Sequence, residues 1–108
     1  MNNNVCDEFQ DLREPSICIP RIQVKFSKEK IKQIFESLKI GEVAQVDLIK
    51  NNKDRHNYRA FIHFKKWNEE FNDVRNKLFN GDNIKIVHDF PWFWKCFKSK
   101  FPRPEYLH

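Results

Sequence analysis

Two segments far apart in this chain alternate apolar and polar residues with the period of a half-buried strand, and together they fix most of what it can fold into. Tyr58-Arg59-Ala60-Phe61-Ile62-His63-Phe64 turns Ala60, Ile62 and Phe64 one way and Arg59, Phe61 and His63 the other. Ile17-Cys18-Ile19-Pro20-Arg21-Ile22 turns Ile17 and Ile19 inward and Cys18 outward. An outer face that sets a basic side chain beside an aromatic ring suits a single-stranded nucleic acid, because bases stack on rings and phosphates take up cations.

The remaining elements fall between and after these two. Ser27 is a good N-cap, Phe26 can staple onto Ile31, and Ile31, Ile34, Phe35 and Leu38 form one helical stripe that Gly41 closes. Lys28, Lys30 and Lys32 lie off the stripe on a solvated face. Val43, Val46 and Leu48 mark a second strand with Asp47 and Ile49 on its other side, and the apolar-free run 50–57 predicts a polar, partly basic loop. A second helix from about Asn68 buries Phe71, Val74 and Leu78 and stops at Asn80-Gly81. Ile84 and Ile86 supply the inward side of a fourth strand, with Lys85 and Val87 outward. The order predicts an α+β fold: a ferredoxin-like βαββαβ sandwich with a four-stranded antiparallel sheet and two helices on one face. The other face carries Cys18, Asp47, Ile49, Arg59, Phe61, His63, Lys85 and Val87.

At 108 residues the chain has room for one small domain. Residues 1–15 read as an acidic, flexible leader, 16–89 as the folded domain, and 90–108 as an aromatic, basic C-terminal extension. No apolar run approaches the ~20 residues of a membrane span, and the N-terminus lacks the layout of a signal peptide. Three cysteines and four histidines are scattered, without disulfide or zinc spacing. The two glycines leave no phosphate-binding loop, and no carboxylate pair has a defined geometry. A thiol–imidazole pair between Cys18 and His63 would lack an orienting third group. These features predict an intracellular protein with no enzymatic activity, cofactor, metal, membrane contact or small-molecule substrate, present as a monomer or weak dimer. The net charge of +5 is compatible with nucleic acid without requiring it.

From about Ser16 to Asp89 the chain resembles an RNA recognition motif (RRM). Ile17-Cys18-Ile19-Pro20-Arg21-Ile22 sits where that family has its shorter signature, matching at Ile17, Ile19 and Ile22. Asn57 to Phe64 sits where the longer one lies, matching at Ala60, Phe61, Ile62 and Phe64. Gly41-Glu42-Val43-Ala44-Gln45-Val46 resembles the lead into the second strand. The resemblance implies three outward stacking positions, of which Phe61 fills one, while Arg59 and Cys18 hold the other two. A guanidinium plane can itself stack on a base.

Residues 90–102 pack six aromatics and three lysines into thirteen positions. With the Asn- and Lys-heavy composition, this run resembles small proteins of large DNA viruses of eukaryotes, which would place the chain in the cytoplasm or nucleus of a host cell. Three roles compete for it: folding back over the sheet to cover Cys18, Ile49 and Val87; a replacement binding surface; or a docking segment for a protein partner. The leading functional expectation is single-stranded RNA on the open sheet face. Phe61 stacks a base, and Arg59 and Lys85 meet phosphate or a base edge, with His63 beside them. Lys50, Lys53 and Arg55 clamp the backbone from the loop, and Trp92, Trp94 and Lys95 add a further platform. The alternative is a protein-interaction adaptor whose sheet is covered by its own tail.

Overall fold

In the computed structural model, which describes residues 11–101, 103 and 104, the chain runs β1 (Ile17–Gln23), α1 (Lys28–Ser37), β2 (Gly41–Asn51), β3 (Asp54–Trp67), a 3-10 turn (Glu69–Phe71), α2 (Asn72–Phe79), β4 (Ile84–Asp89) and β5 (Trp92–Lys98). Ser27 caps α1 as its residue type predicts, its hydroxyl accepting the Lys30 N–H at 3.1 Å, and Ile31, Ile34 and Phe35 are buried. The helix closes at Leu38, with Lys39 in the left-handed region at φ 62°. Gly41 is therefore the first residue of β2 and not a helix terminator. A Cβ at this position would stand 2.6 Å from the Lys66 carbonyl oxygen and 2.9 Å from the Trp67 Cα, so only glycine lets β2 approach the end of β3 this closely.

The polar run 50–57 is not a loop. β2 and β3 stay paired from Gly41↔Trp67 out to Asn51↔Asp54, leaving Asn52 and Lys53 as the turn. Backbone pairing needs no apolar side chain where both sides of a hairpin face water. Asp54 stiffens the tip by accepting from the His56 N–H, Asn57 Nδ2 and Arg21 Nη2.

The larger correction concerns the sheet. It has five strands in the order β2-β3-β1-β5-β4, each antiparallel to its neighbours. The strand beside β1 is β5, built from the segment read as an extension, and β4 is pushed to the edge. The reason lies in a second alternation hidden among so many aromatics: Trp94 and Cys96 point to the core while Phe93, Lys95 and Phe97 point away. Trp94, 4% exposed, stacks on Phe35 with ring centroids 6.2 Å apart and lies edge-on to Phe26 at 5.2 Å. With Ile17, Ile19, Ile22, Val43, Val46, Ala60, Ile62, Phe64, Trp67 and Ile86, and with Leu78 from α2, these residues form one core between the sheet and both helices.

Residues 11–15 of the leader pack against this unit. Trp67 donates its backbone N–H to the Leu12 carbonyl and its indole N–H to the Pro15 carbonyl. Arg75, fully buried, donates to the carbonyl oxygens of Asp11 and Glu14 and to Asn72 Oδ1. The rest of the leader, residues 1–10, lies outside the described residues, as do Pro102 and 105–108. No helix among the described residues is long and apolar enough to cross a membrane.

Trp94→Ala is expected to cost about 3–5 kcal/mol, as large core truncations do. Trp92→Ala, at a 67% exposed position, should stay within about 0.5 kcal/mol of wild type. Gly41→Ala should lose about 1–3 kcal/mol through forced overpacking. Urea denaturation of the three variants checks all of these; equal stability of the two tryptophan variants would contradict the placement of β5.

Candidate functional site

The outer face of the sheet is read row by row from the strand register. One row runs Asp47, Phe61, Cys18, Phe97 across β2, β3, β1 and β5. Gln45 pairs with His63 on one side of that row, and Ile49 with Arg59 on the other. Toward the far edge, Lys85 pairs with Lys95 and Val87 with Phe93. This face divides into a covered half and an open half.

The covered half surrounds Phe61 and His63. Phe61 is 5% exposed because the chain after β5 returns across it. The Ser99 N–H donates to the Ser16 carbonyl, the Phe101 ring stands edge-on to Phe61 at 5.7 Å, and Arg103 donates to the Phe64 carbonyl. His63 is 3% exposed and sits inside a polar chain: Ser16 Oγ lies 2.7 Å from its Nδ1, Asp47 Oδ2 lies 3.3 Å from its Nε2, and Gln45 Nε2 donates to Asp47 Oδ1. A neutral ring satisfies this arrangement when its Nε2–H donates to Asp47 and its Nδ1 accepts the Ser16 hydroxyl proton. Burial lowers the His63 pKa; the Asp47 carboxylate opposes that shift and the Arg103 charge adds to it. The residue types are those of a nucleophilic triad. Here the serine and the imidazole are 4% and 3% exposed, and each polar group of the chain has a partner within it.

The open half runs from Arg59 on β3 across β1 and β5 to β4. Arg59, Lys85, Val87, Phe93 and Lys95 are exposed, and Phe97 is half-buried. Lys85 Nζ lies 4.9 Å from the centroid of Phe93, and Lys95 Nζ lies 5.8 Å from that of Phe97. Cys18 sits between Phe61 and Phe97, with its thiol pKa raised by burial and Arg59 opposing the shift, so it stays protonated at neutral pH. Cys96 is buried and its pKa is raised further for the same reason.

Among the residues expected from sequence to bind, Arg59, Lys85 and Lys95 share this open half. Phe61 and His63 lie beneath the tail, and Trp94 is in the core. Lys50, Lys53 and Arg55 sit at the tip of the β2–β3 hairpin. Trp92 sits at the β4–β5 turn, on a cleft beside α1. The expected shielding of Ile49 and Val87 by the aromatic run does not occur: they are 52% and 47% exposed. Sequence reasoning missed Phe93, Phe97 and Ser16. The first two belong to the Phe93-Lys95-Phe97 alternation, which the inward-facing ring of Trp94 conceals, whereas Ser16 had no local signal. Comparisons with models of protein families, with curated proteins and with solved structures find no match.

Because folding depresses the His63 pKa, the unfolded chain binds the proton more readily. The stability this group contributes is therefore complete above about pH 6.5, its ordinary value, and is lost as pH falls through the folded value. His88 carries a shift of the same direction, also from burial. Denaturation from neutral pH downward should show the loss, and His63→Gln should reduce its slope without abolishing it. Ser16→Ala, which strands a buried ring nitrogen, is expected to cost about 1–3 kcal/mol. An unchanged slope in His63→Gln would contradict this account of the polar chain.

Proposed function

We propose that this chain is a non-enzymatic module that binds single-stranded RNA on the open half of the outer sheet face. The observation that carries the reading is the exposed alternation Phe93-Lys95-Phe97 beside Lys85, with Arg59 on the same face across β1, which offers two aromatic platforms and three cations on one face. Stacking a base on a ring is worth ~1–3 kcal/mol. The cation–π contact it displaces is worth only about 0.5–1 kcal/mol at an exposed site. An arriving base therefore turns Lys85 or Lys95 off its ring and toward phosphate. Lys50, Lys53 and Arg55 extend the basic track along the projecting hairpin.

The same reading takes the fold as a ferredoxin-like, RRM-type plan carrying one added strand. Without β4, the order is strand, helix, strand, strand, helix, strand, with β5 as the last strand and β4 as an inserted edge. The family's third-strand stacking position, Phe61, is then occupied by Phe101 from the chain itself, and binding moves toward β5. That cover also favours a second reading, a protein-interaction adaptor whose sheet is closed by its tail. On that reading RNA binding would be absent, and Phe101→Ala would leave it absent.

Binding of mixed RNA oligonucleotides, followed by fluorescence anisotropy, separates the two. With three phosphate contacts the single-strand salt slope is about −2, a loss of roughly tenfold or more between about 50 and 200 mM salt. Phe97→Ala should weaken binding by roughly five-fold to a hundred-fold, whereas Phe61→Ala should have a much smaller effect. Salt-insensitive binding, or indifference to both Phe93→Ala and Phe97→Ala, would refute the proposal.

A further inference from the structure

A cleft of about 570 Å³ opens at the end of the molecule where β1 runs out, α1 begins and β4 turns into β5. Its floor is a set of rings already packed on one another. His88 lies nearly parallel to Trp94 at 4.4 Å, and Phe26 stands edge-on to both, 5.1 Å from His88 and 5.2 Å from Trp94. Burial lowers the His88 pKa, so that ring is uncharged at physiological pH. Trp92 stands at the rim with two-thirds of its surface exposed. Arg21, Lys25 and Lys30 also line the cleft, against a single lining carboxylate, Asp89. The exposed Arg21 gives one bond to Asp54 through Nη2, and a guanidinium carries five N–H donors.

Rings for an aromatic plane and three cations for an anion, lining one cavity, describe a ligand with both parts. Three cations less Asp89 leave a net charge of +2 in the lining, which a lone carboxylate only half matches, whereas a phosphomonoester carries about −1.5 to −2 at neutral pH. The volume lies inside the ~300–1,000 Å³ range of small-molecule sites. We propose that this cleft binds a nucleoside monophosphate unit, its base on Trp92 and its phosphate among Arg21, Lys25 and Lys30. The unit is either a free nucleotide or the phosphorylated end of a strand. The choice of a nucleotide rests on the RNA reading above, but apart from Phe93, which borders both, the cleft shares no residue with the outer face.

Tryptophan fluorescence tests this directly. Trp67 is buried and does not line the cleft, so quenching by an added ligand reports on Trp92 at the rim and Trp94 in the floor. Uridine 5′-monophosphate should give saturable quenching in the millimolar range or below. Uridine and inorganic phosphate, each lacking half of the ligand, should bind at least about tenfold more weakly. Lys25→Ala with Lys30→Ala should remove a similar factor, and Trp92→Ala should abolish binding measured by calorimetry. Lys95→Ala with Phe97→Ala should leave nucleotide binding intact while RNA binding falls. Tighter binding of a 5′-phosphorylated oligouridylate than of its 5′-hydroxyl form assigns the cleft to strand ends; equal binding of the two assigns it to free nucleotide. No saturable quenching by the monophosphate, or binding indifferent to Lys25, Lys30 and Trp92 in folded variants, overturns the proposal. If the nucleotide binds and RNA does not, the cleft stands and the outer-face reading falls.

Discussion

The packing of Trp94 holds the rest of this molecule in place. Its ring fills the space between α1 and the sheet, against Phe35 on one side and His88 on the other, and this anchors β5 between β1 and β4. Once β5 is there, its odd-numbered residues must face outward, because side chains alternate along a strand. The same seven residues therefore complete the core and furnish the outer surface. The position of β4, the path of the chain beyond Lys98 and the ring floor of the cleft all follow from that one docking event.

The outer face shows a trade between two uses of the same surface. Near β3 the sheet is closed by Phe101 and Arg103 over Phe61 and His63, and the polar groups beneath are satisfied by one another. Near β4 and β5, the rings and cations face solvent. A face left wholly open would expose a larger apolar area than small monomers usually carry, and one wholly closed would leave no platform for a ligand. The proposed RNA surface and nucleotide cleft lie on either side of β5, on its outer face and at its turn.

The sequence was legible where each residue had a single environment to satisfy. The inward residues of β1 and β3, the Ser27 cap and the α1 stripe are all local patterns, and each is realised except at Leu38, which ends the helix and is exposed. It misled where one pattern served two purposes. Residues 50–57 are polar because both faces of that hairpin meet water, and polarity alone does not distinguish such a hairpin from an irregular loop. The segment 92–98 is so aromatic that its alternation was hidden, since both its inward and its outward positions hold rings. The Ser16–His63–Asp47 chain joins residues up to 47 positions apart and leaves no local trace. The candidate site was half legible: Arg59, Lys85 and Lys95 share a face, while the rings beside them had to await the register of β5.

Arg75 has a consequence for the chain that precedes the sheet. Two of the groups it holds are main-chain carbonyl oxygens, those of Asp11 and Glu14, and Trp67 likewise grips the carbonyls of Leu12 and Pro15. Every residue type carries such an oxygen. These contacts therefore dictate the course of the segment while leaving its wording almost free. Two chains of this design could differ at nearly every position from 11 to 14 and still lay that stretch along the same track. The fixed letters would be the readers, Arg75 and Trp67, and not the text they hold.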